Sequence, residues 1–218
     1  MFAVLKAGET AGGGDDGGRP RRSERLAAGG GVVTIFRRTD EVGKMERIDL
    51  EPDPVWTDRF EAERDRVRSV AGDGLLGLFH VGSTAVPDLA AKPVLDVLAV
   101  FGGEAGMRTT AAALVEAGYR LRRADPEWHH LAADAEPPVS LHLRPVRSDV
   151  WRDQLVVREY LRDHPSARRG YERVKREAVE AHADEPESYT DAKESFVLAL
   201  EERAYDEGYG ERIPDLRK

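Results

Sequence analysis

The sequence predicts a mixed α/β core closed by a C-terminal run of helices, and three observations carry that expectation. Apolar runs of strand length occupy residues 75–81 and 93–100, and residues 139–143 alternate with period 2. Helical spacing at residues 107–117 separates the second of these from the third. From Asp149 onward only the helical period remains.

The 218 residues suit one domain with an appendage and are enough to bury a core. Residues 1–43 hold ten of the 21 glycines and no strand or helix period, so they read as a disordered Gly/Arg-rich tail, dispensable for folding, in which residues 32–36 are a lone strand-like stretch. Residues 44–148 read as the α/β core, 149–206 as a helical cap and 207–218 as a C-terminal tail. The first helix is expected to start at Asp53 as N-cap and Pro54 as first helical residue and to run to about Ala71. Trp56, Phe60, Val67 and Val70 form its apolar stripe, and Gly72-Asp73-Gly74 stops it. The strand at 75–81 ends on Gly82-Ser83, and a loop or helical turn fills 84–91.

The strand at 93–100 is apolar on both faces except at Asp96. Gly102-Gly103 leads into the helix at 107–117, which Gly118 ends. Residues 119–121 read as a short strand and 124–138 as a proline-flanked loop. In the strand at 139–143, Ser140 and His142 share one face and the leucines the other. In the cap, Trp151, Leu155, Val156 and Tyr160 mark a first helix ending at His164-Pro165, and a second spans 166–183. The third starts near Ser188 and carries Tyr189, Lys193, Phe196, Val197, Leu200 and Ala204 at helical spacing.

Composition narrows the function. Hydrophobic residues at 40% and charged ones at 34% are the proportions of a soluble globular chain. No apolar run approaches the roughly 20 residues of a membrane span, and the opening Met1-Phe2-Ala3-Val4-Leu5 is too short for a signal-peptide core. The absence of cysteine excludes disulfides and thiolate metal sites and fits a cytoplasmic protein. A net charge of −8 argues against a nucleic-acid wrapper. Arginine outnumbers lysine 27 to six, so the lysines inside the folded region that begins near Ile48, Lys92, Lys175 and Lys193, stand out.

The residues that can carry chemistry begin with His80-Val81-Gly82-Ser83-Thr84. A strand that ends in Gly-Ser and enters a helical turn presents backbone N–H groups and two hydroxyls, a cradle for phosphate. Thirteen residues beyond Ser83, Asp96 sits in an apolar strand, where a carboxylate needs a cation or strong donors: a metal ion, Lys92 or an arginine. The adjacent His129-His130, near Asp125, Glu127 and Asp134, do not read as a metal site, since neighbouring histidines point apart.

His80-Val81-Gly82-Ser83-Thr84-Ala85-Val86-Pro87, followed by Leu89-Ala90-Ala91-Lys92-Pro93-Val94-Leu95-Asp96, resembles the signature of the GrpB-like family. The resemblance continues through Leu141-His142-Leu143, Arg158-Glu159-Tyr160-Leu161-Arg162-Asp163-His164-Pro165, Tyr171-Glu172-Arg173-Val174-Lys175 and Tyr189-Thr190-Asp191-Ala192-Lys193. It implies an α/β (α+β) fold, a nucleotidyltransferase-like mixed β-sheet core with a C-terminal helical cap. It also implies transfer of a nucleotidyl or phosphoryl group from a nucleoside triphosphate to a small-molecule acceptor, with a divalent metal, magnesium or manganese. The superfamily's chemistry uses three carboxylates, two of them one residue apart on one strand and the third on a neighbouring strand.

Against that pattern Asp96 is the first acid, Leu98 stands at the second position, and His142 stands at the third. Asp96 and His142 are therefore the candidate catalytic and metal-binding pair, His142 alternatively being a general base or a strand histidine bonded to a neighbour. His80, Gly82, Ser83, Thr84, Lys92, Arg158, Arg162, Lys175, Tyr189 and Lys193 are the candidate phosphate-binding residues. Arg158 and Arg162, four apart on one helix, either grip one anion or bridge to Asp163 and the glutamates around them. Asp88 departs from the family pattern, in which glycine is usual before the leucine. The missing acids leave two alternatives open, a phosphate-binding module with a degenerate metal site and an interaction scaffold.

Overall fold

The computed structural model describes residues 55–181 and 186–217, with the backbone alone at residue 179 and residues 186–192. The expectations for residues 1–43, Asp53 and Pro54 lie outside these residues. The chain runs α1 (Trp56–Val70), β1 (Leu75–Val81), a 3-10 turn (Ser83–Ala85), β2 (Leu95–Phe101), α2 (Glu104–Glu116), β3 (Arg120–Asp125) and β4 (Trp128–Ala133). It continues through β5 (Val139–Pro145), α3 (Val150–Asp163), α4 (Pro165–Ala181), α5 (Pro186–Asp206) and a 3-10 turn (Tyr209–Glu211). Among the described residues five strands form one sheet in the order β1-β2-β5-β4-β3. The β2–β5 pair is parallel and the others antiparallel. No helix among the described residues is long and apolar enough to cross a membrane.

The side-chain alternation of β2 divides the interior into two cores. Leu95, Val97, Ala99 and Phe101 meet α1 and α2 through Trp56, Val67, Met107 and Leu114. Leu98 and Val100 point the other way, into a core built with Trp151, Leu155, Leu161, Val197 and Leu200 of α3 and α5. Burying each such side chain contributes about 1.5–3 kcal/mol, so both faces of the sheet are strongly covered. Trp151 also donates its indole N–H to the Val146 carbonyl at 3.1 Å, which fixes where α3 leaves β5. The acid in β2, Asp96, falls by alternation on the cap side, beside the turn that follows β1.

Three local differences from the sequence expectation have physical causes. The segment read as a loop at 124–138 contains β4, which pairs with β3 on one side and β5 on the other. Trp128, His129, His130 and Leu131 are all buried, so a strand covered on both faces shows no period-2 signal. Its turn is set by Asp125, whose carboxylate accepts the Glu127 N–H at 3.0 Å. The stretch read as a C-terminal tail carries Tyr209 and Ile213 into the cap-side core. There the Tyr209 hydroxyl donates to Asp163 at 2.8 Å and Arg212 lies 3.9 Å over the Tyr209 ring. Finally, Asp88 has φ +60°, the left-handed conformation that suits glycine and that aspartate tolerates better than most residues.

Candidate functional site

The Gly-Ser turn is built around a backbone that only glycine fits. Gly82 has φ +74° and ψ −171°, a region essentially reserved for glycine. A Cβ placed there would meet Asp96 Oδ2 at 2.4 Å and its Cβ and Cγ at 3.0 Å. The missing side chain therefore lets the Asp96 carboxylate lie directly against the turn. The turn's own bonds use the amides of Ala85 and Val86, which donate to the Gly82 and Ser83 carbonyls, so the Ser83 and Thr84 amides stand outside them.

Four of the expected phosphate contacts hold the turn instead. His80 points toward α1, stacked on Phe60 with ring centroids 5.3 Å apart. Thr84 donates its hydroxyl to the Val94 carbonyl at 3.2 Å, so it accepts the Nε2–H of His80 at 3.0 Å. Burial pushes the His80 imidazole down to about 4 and keeps it neutral; Asp96 opposes that shift and Arg162 and Arg158 reinforce it. Arg158 donates to the His80 carbonyl at 2.7 Å, and Arg162 donates twice to the Ala85 carbonyl, at 3.0 and 2.8 Å. Both also pair with Glu159. These arginines grip the two ends of the turn, because α3 lies over it and its carbonyls would otherwise face the cap without donors.

The lysines come together at the turn. Lys175 of α4 donates to Ser83 Oγ at 3.1 Å and to the Ala90 carbonyl, and its ammonium lies 4.7 Å from the Tyr171 ring centroid. Lys193 of α5 enters the same region, close enough that the charges of Lys92, Lys175 and Asp96 act on it. Lys175 and Lys193 are only 7% and 6% exposed. Burial lowers Lys175 to about 8, Glu172 opposing and Arg176 reinforcing. Burial, then Lys92 and Lys175, lower Lys193 to about 7 against the pull of Asp96. The Tyr189 side chain lies outside the described residues.

Asp96 and His142 do meet: His142 Nε2 is 3.9 Å from Asp96 Oδ1 across the parallel β2–β5 pair. Their surroundings decide what they can do. Trp128 of β4 donates its indole N–H to His142 Nδ1 at 3.1 Å, so Nε2 carries the proton. That Nε2–H faces Ser140 Oγ at 3.1 Å and the Asp96 carboxylate beyond it. The His130 ring stacks on His142 at 4.8 Å and its Nε2 also meets Ser140 Oγ, at 3.1 Å. A histidine so held presents a hydrogen-bond donor, with neither a lone pair for a metal nor a free base nitrogen. Leu98, at the second acid position, is fully buried against the cap. Among the described residues no three histidine or acid side chains are placed to hold a metal ion. A protein-held divalent metal therefore does not fit this donor set, and the metal and base roles expected of His142 are replaced by donation.

Replacing Trp128 with phenylalanine tests this directly, since it keeps the stacked ring and removes the N–H. The fold should lose about 1 kcal/mol, and nitrogen NMR should show His142 passing from the Nε2–H form to a mixture of tautomers. An unchanged tautomer would mean that Trp128 does not set it.

A small pocket, partly open to solvent, is bordered by Gly82 and Ser83 of the turn and by Gln154, Arg158, Tyr171 and Val197 of the cap, among others. Asp96, His142, Lys175 and Lys193 do not border it. The buried Gln154 Oε1 has no hydrogen-bond partner among the described residues. Sequence reasoning missed Trp128, Ser140's bonding role and Gln154; the Trp128 signal lay in a strand that read as a loop. His129, as expected, points away from His130, on the opposite face of β4.

A family model described as GrpB protein matches residues 48–203. A UPF0157 protein of Halalkalibacterium halodurans is 37% identical over 157 residues, which are 71% of this chain and 80% of that protein. The solved structure of the conserved protein GrpB from Enterococcus faecalis superposes with a TM-score of 0.64 at 24% identity, covering 71% of this chain and 95% of that one. The structure of a GLD-2/RNP-8 complex does so with a TM-score of 0.52 at 15% identity, covering 78% of this chain and 71% of that one. These structural likenesses are of fold, and the fold is nucleotidyltransferase-like.

Proposed function

The chain belongs to the GrpB family, and from its site we propose that it is a phosphate-binding module for a nucleoside triphosphate, acting in the cytoplasm. The observation that carries this reading is the Lys175 ammonium bonded to Ser83 Oγ at the Gly-Ser turn, with a second buried lysine, Lys193, beside it. Two buried ammonium groups repel each other and lose hydration, an arrangement that a bound anion relieves. Glycine lets phosphate oxygens approach the Ser83 and Thr84 amides, and the clamped turn needs no reordering on binding.

Nucleotidyl or phosphoryl transfer to a small acceptor is the richer possibility for this fold. Nucleotidyltransferase-like proteins typically use divalent metals, and a magnesium ion that arrives on the nucleotide would find in Asp96 a single carboxylate. The second and third acids that such chemistry draws on are Leu98 and His142 here, so the geometry supports binding better than transfer.

Thermal unfolding of the full chain with each of the four ribonucleoside triphosphates and with inorganic tripolyphosphate tests the reading. At a hundredfold excess over the dissociation constant a ligand adds about 2.7 kcal/mol of stability. The midpoint should rise with at least one of these probes, and Ser83→Leu should abolish the rise. A flat midpoint with every probe would sink the phosphate-binding function.

A further inference from the structure

We propose that this site takes the polyphosphate of its ligand without a divalent metal held by the protein, Lys175 and Lys193 supplying the positive charge instead. The inference rests on the phosphate-binding reading above and adds to it what replaces the metal. Two independent sets of contacts lead to it.

The first is the direction of the protons around Asp96. Trp128 gives its N–H to His142 Nδ1, so His142 turns an N–H toward Ser140 and Asp96. Ligation through Nε2 would require that nitrogen to lose its proton, and moving the proton to Nδ1 would set it against the Trp128 N–H. The imidazole and the indole therefore hold each other in a state that turns an N–H, 3.9 Å away, toward Asp96 and leaves no nitrogen lone pair there for a metal. Leu98, paired in register with His142, closes the other route, since its side chain packs into the cap-side core.

The second is the position of the lysines. Lys175 reaches Ser83 Oγ at 3.1 Å from the cap, and Lys193 is buried close enough to feel both Lys175 and Asp96. In the absence of ligand the Asp96 charge attracts Lys193. When a polyphosphate enters, the same carboxylate becomes a like charge beside it. Asp96 then opposes the ligand, whereas a metal ligand would be indispensable to it. The two arrangements make opposite forecasts for one isosteric change.

Calorimetric titration of the full chain with tripolyphosphate and with ATP, in EDTA and in excess magnesium, separates them. We expect binding in EDTA at least as tight as in magnesium, because the metal cancels part of the charge that the lysines read. Asp96→Asn should leave the affinity unchanged or improve it. Lys175→Met, which keeps the packed stem, should weaken binding about tenfold or more, and Lys175→Arg should restore part of it. Binding seen only with magnesium and lost in Asp96→Asn would overturn the proposal while leaving phosphate binding intact. No heat with either probe in either buffer would overturn both. The comparison of EDTA with magnesium uses the unaltered protein, so it decides the question even if a variant fails to fold.

Discussion

Gly82→Ala is expected to abolish polyphosphate binding and to lower the unfolding midpoint by about 2–12 °C. The backbone strain alone costs on the order of 1–3 kcal/mol, because φ +74° with ψ −171° is a conformation essentially confined to glycine. In a chain of this size each kcal/mol moves the midpoint by about 2–4 °C. The added methyl also lands 2.4 Å from Asp96 Oδ2 and 3.0 Å from its Cβ. The contact to Cβ cannot be relieved by rotating the carboxylate, so β2 or the turn must shift. Either movement changes the distance from Ser83 to Lys175. Gly103→Ala is the matched control: it has extended backbone and nothing within 4 Å of the added atom, so its midpoint should stay within about 1 °C of the parent. Parental stability and affinity in Gly82→Ala would show that the turn can adopt another backbone.

Lys193→Met should stabilise the empty protein and at the same time weaken its hold on tripolyphosphate. Lys193 is lowered from its ordinary 10.5 to about 7, first by burial and then by Lys92 and Lys175. With the folded value below the unfolded one, the unfolded chain binds more protons between about pH 7 and pH 10.5. Stability therefore rises with pH across that window. The cost of the buried charge is fully present below about pH 7 and gone above about pH 10.5. Methionine fills the same space without the charge, so this part of the pH dependence should vanish and the midpoint near pH 7 should rise. Lys175, lowered from 10.5 to about 8, contributes a dependence of the same sign over a narrower window, which remains. Affinity for tripolyphosphate should run the opposite way in the parent, falling as pH rises from about 6 to about 9, since the anion needs the lysines charged. Superimposable melting curves of parent and variant from pH 7 to 10 would show that Lys193 carries no buried charge.

The sequence made some of this legible for reasons that can be named. Strand β2 was visible because an apolar run of its length leaves few alternatives, and Asp96 was visible because it interrupts that run. The lysines stood out by scarcity, and the structure brings Lys175 and Lys193 to the Gly-Ser turn. What stayed hidden depends on partners far apart in the chain. Whether Arg158 faces an anion or a carbonyl is settled by how α3 lies on the turn, across 78 residues of sequence. His142 read as a base or ligand because its own strand shows only its position; its role is set by Trp128 on β4. That strand, covered on both faces, gave no periodic signal at all.

The grip of Arg158 and Arg162 on the two ends of the turn has a consequence for how the family can drift. Each guanidinium fixes a carbonyl at one end of the turn, so the backbone between them is held without either arginine having to touch a ligand. Exchanging either arginine, or sliding α3 by a fraction of a turn, would retune the anion cradle while every residue lining it stayed the same. If the turn holds phosphate as proposed, divergence in ligand preference among relatives would be inherited through the cap helix, and two members with identical Gly-Ser turns need not recognise the same compound.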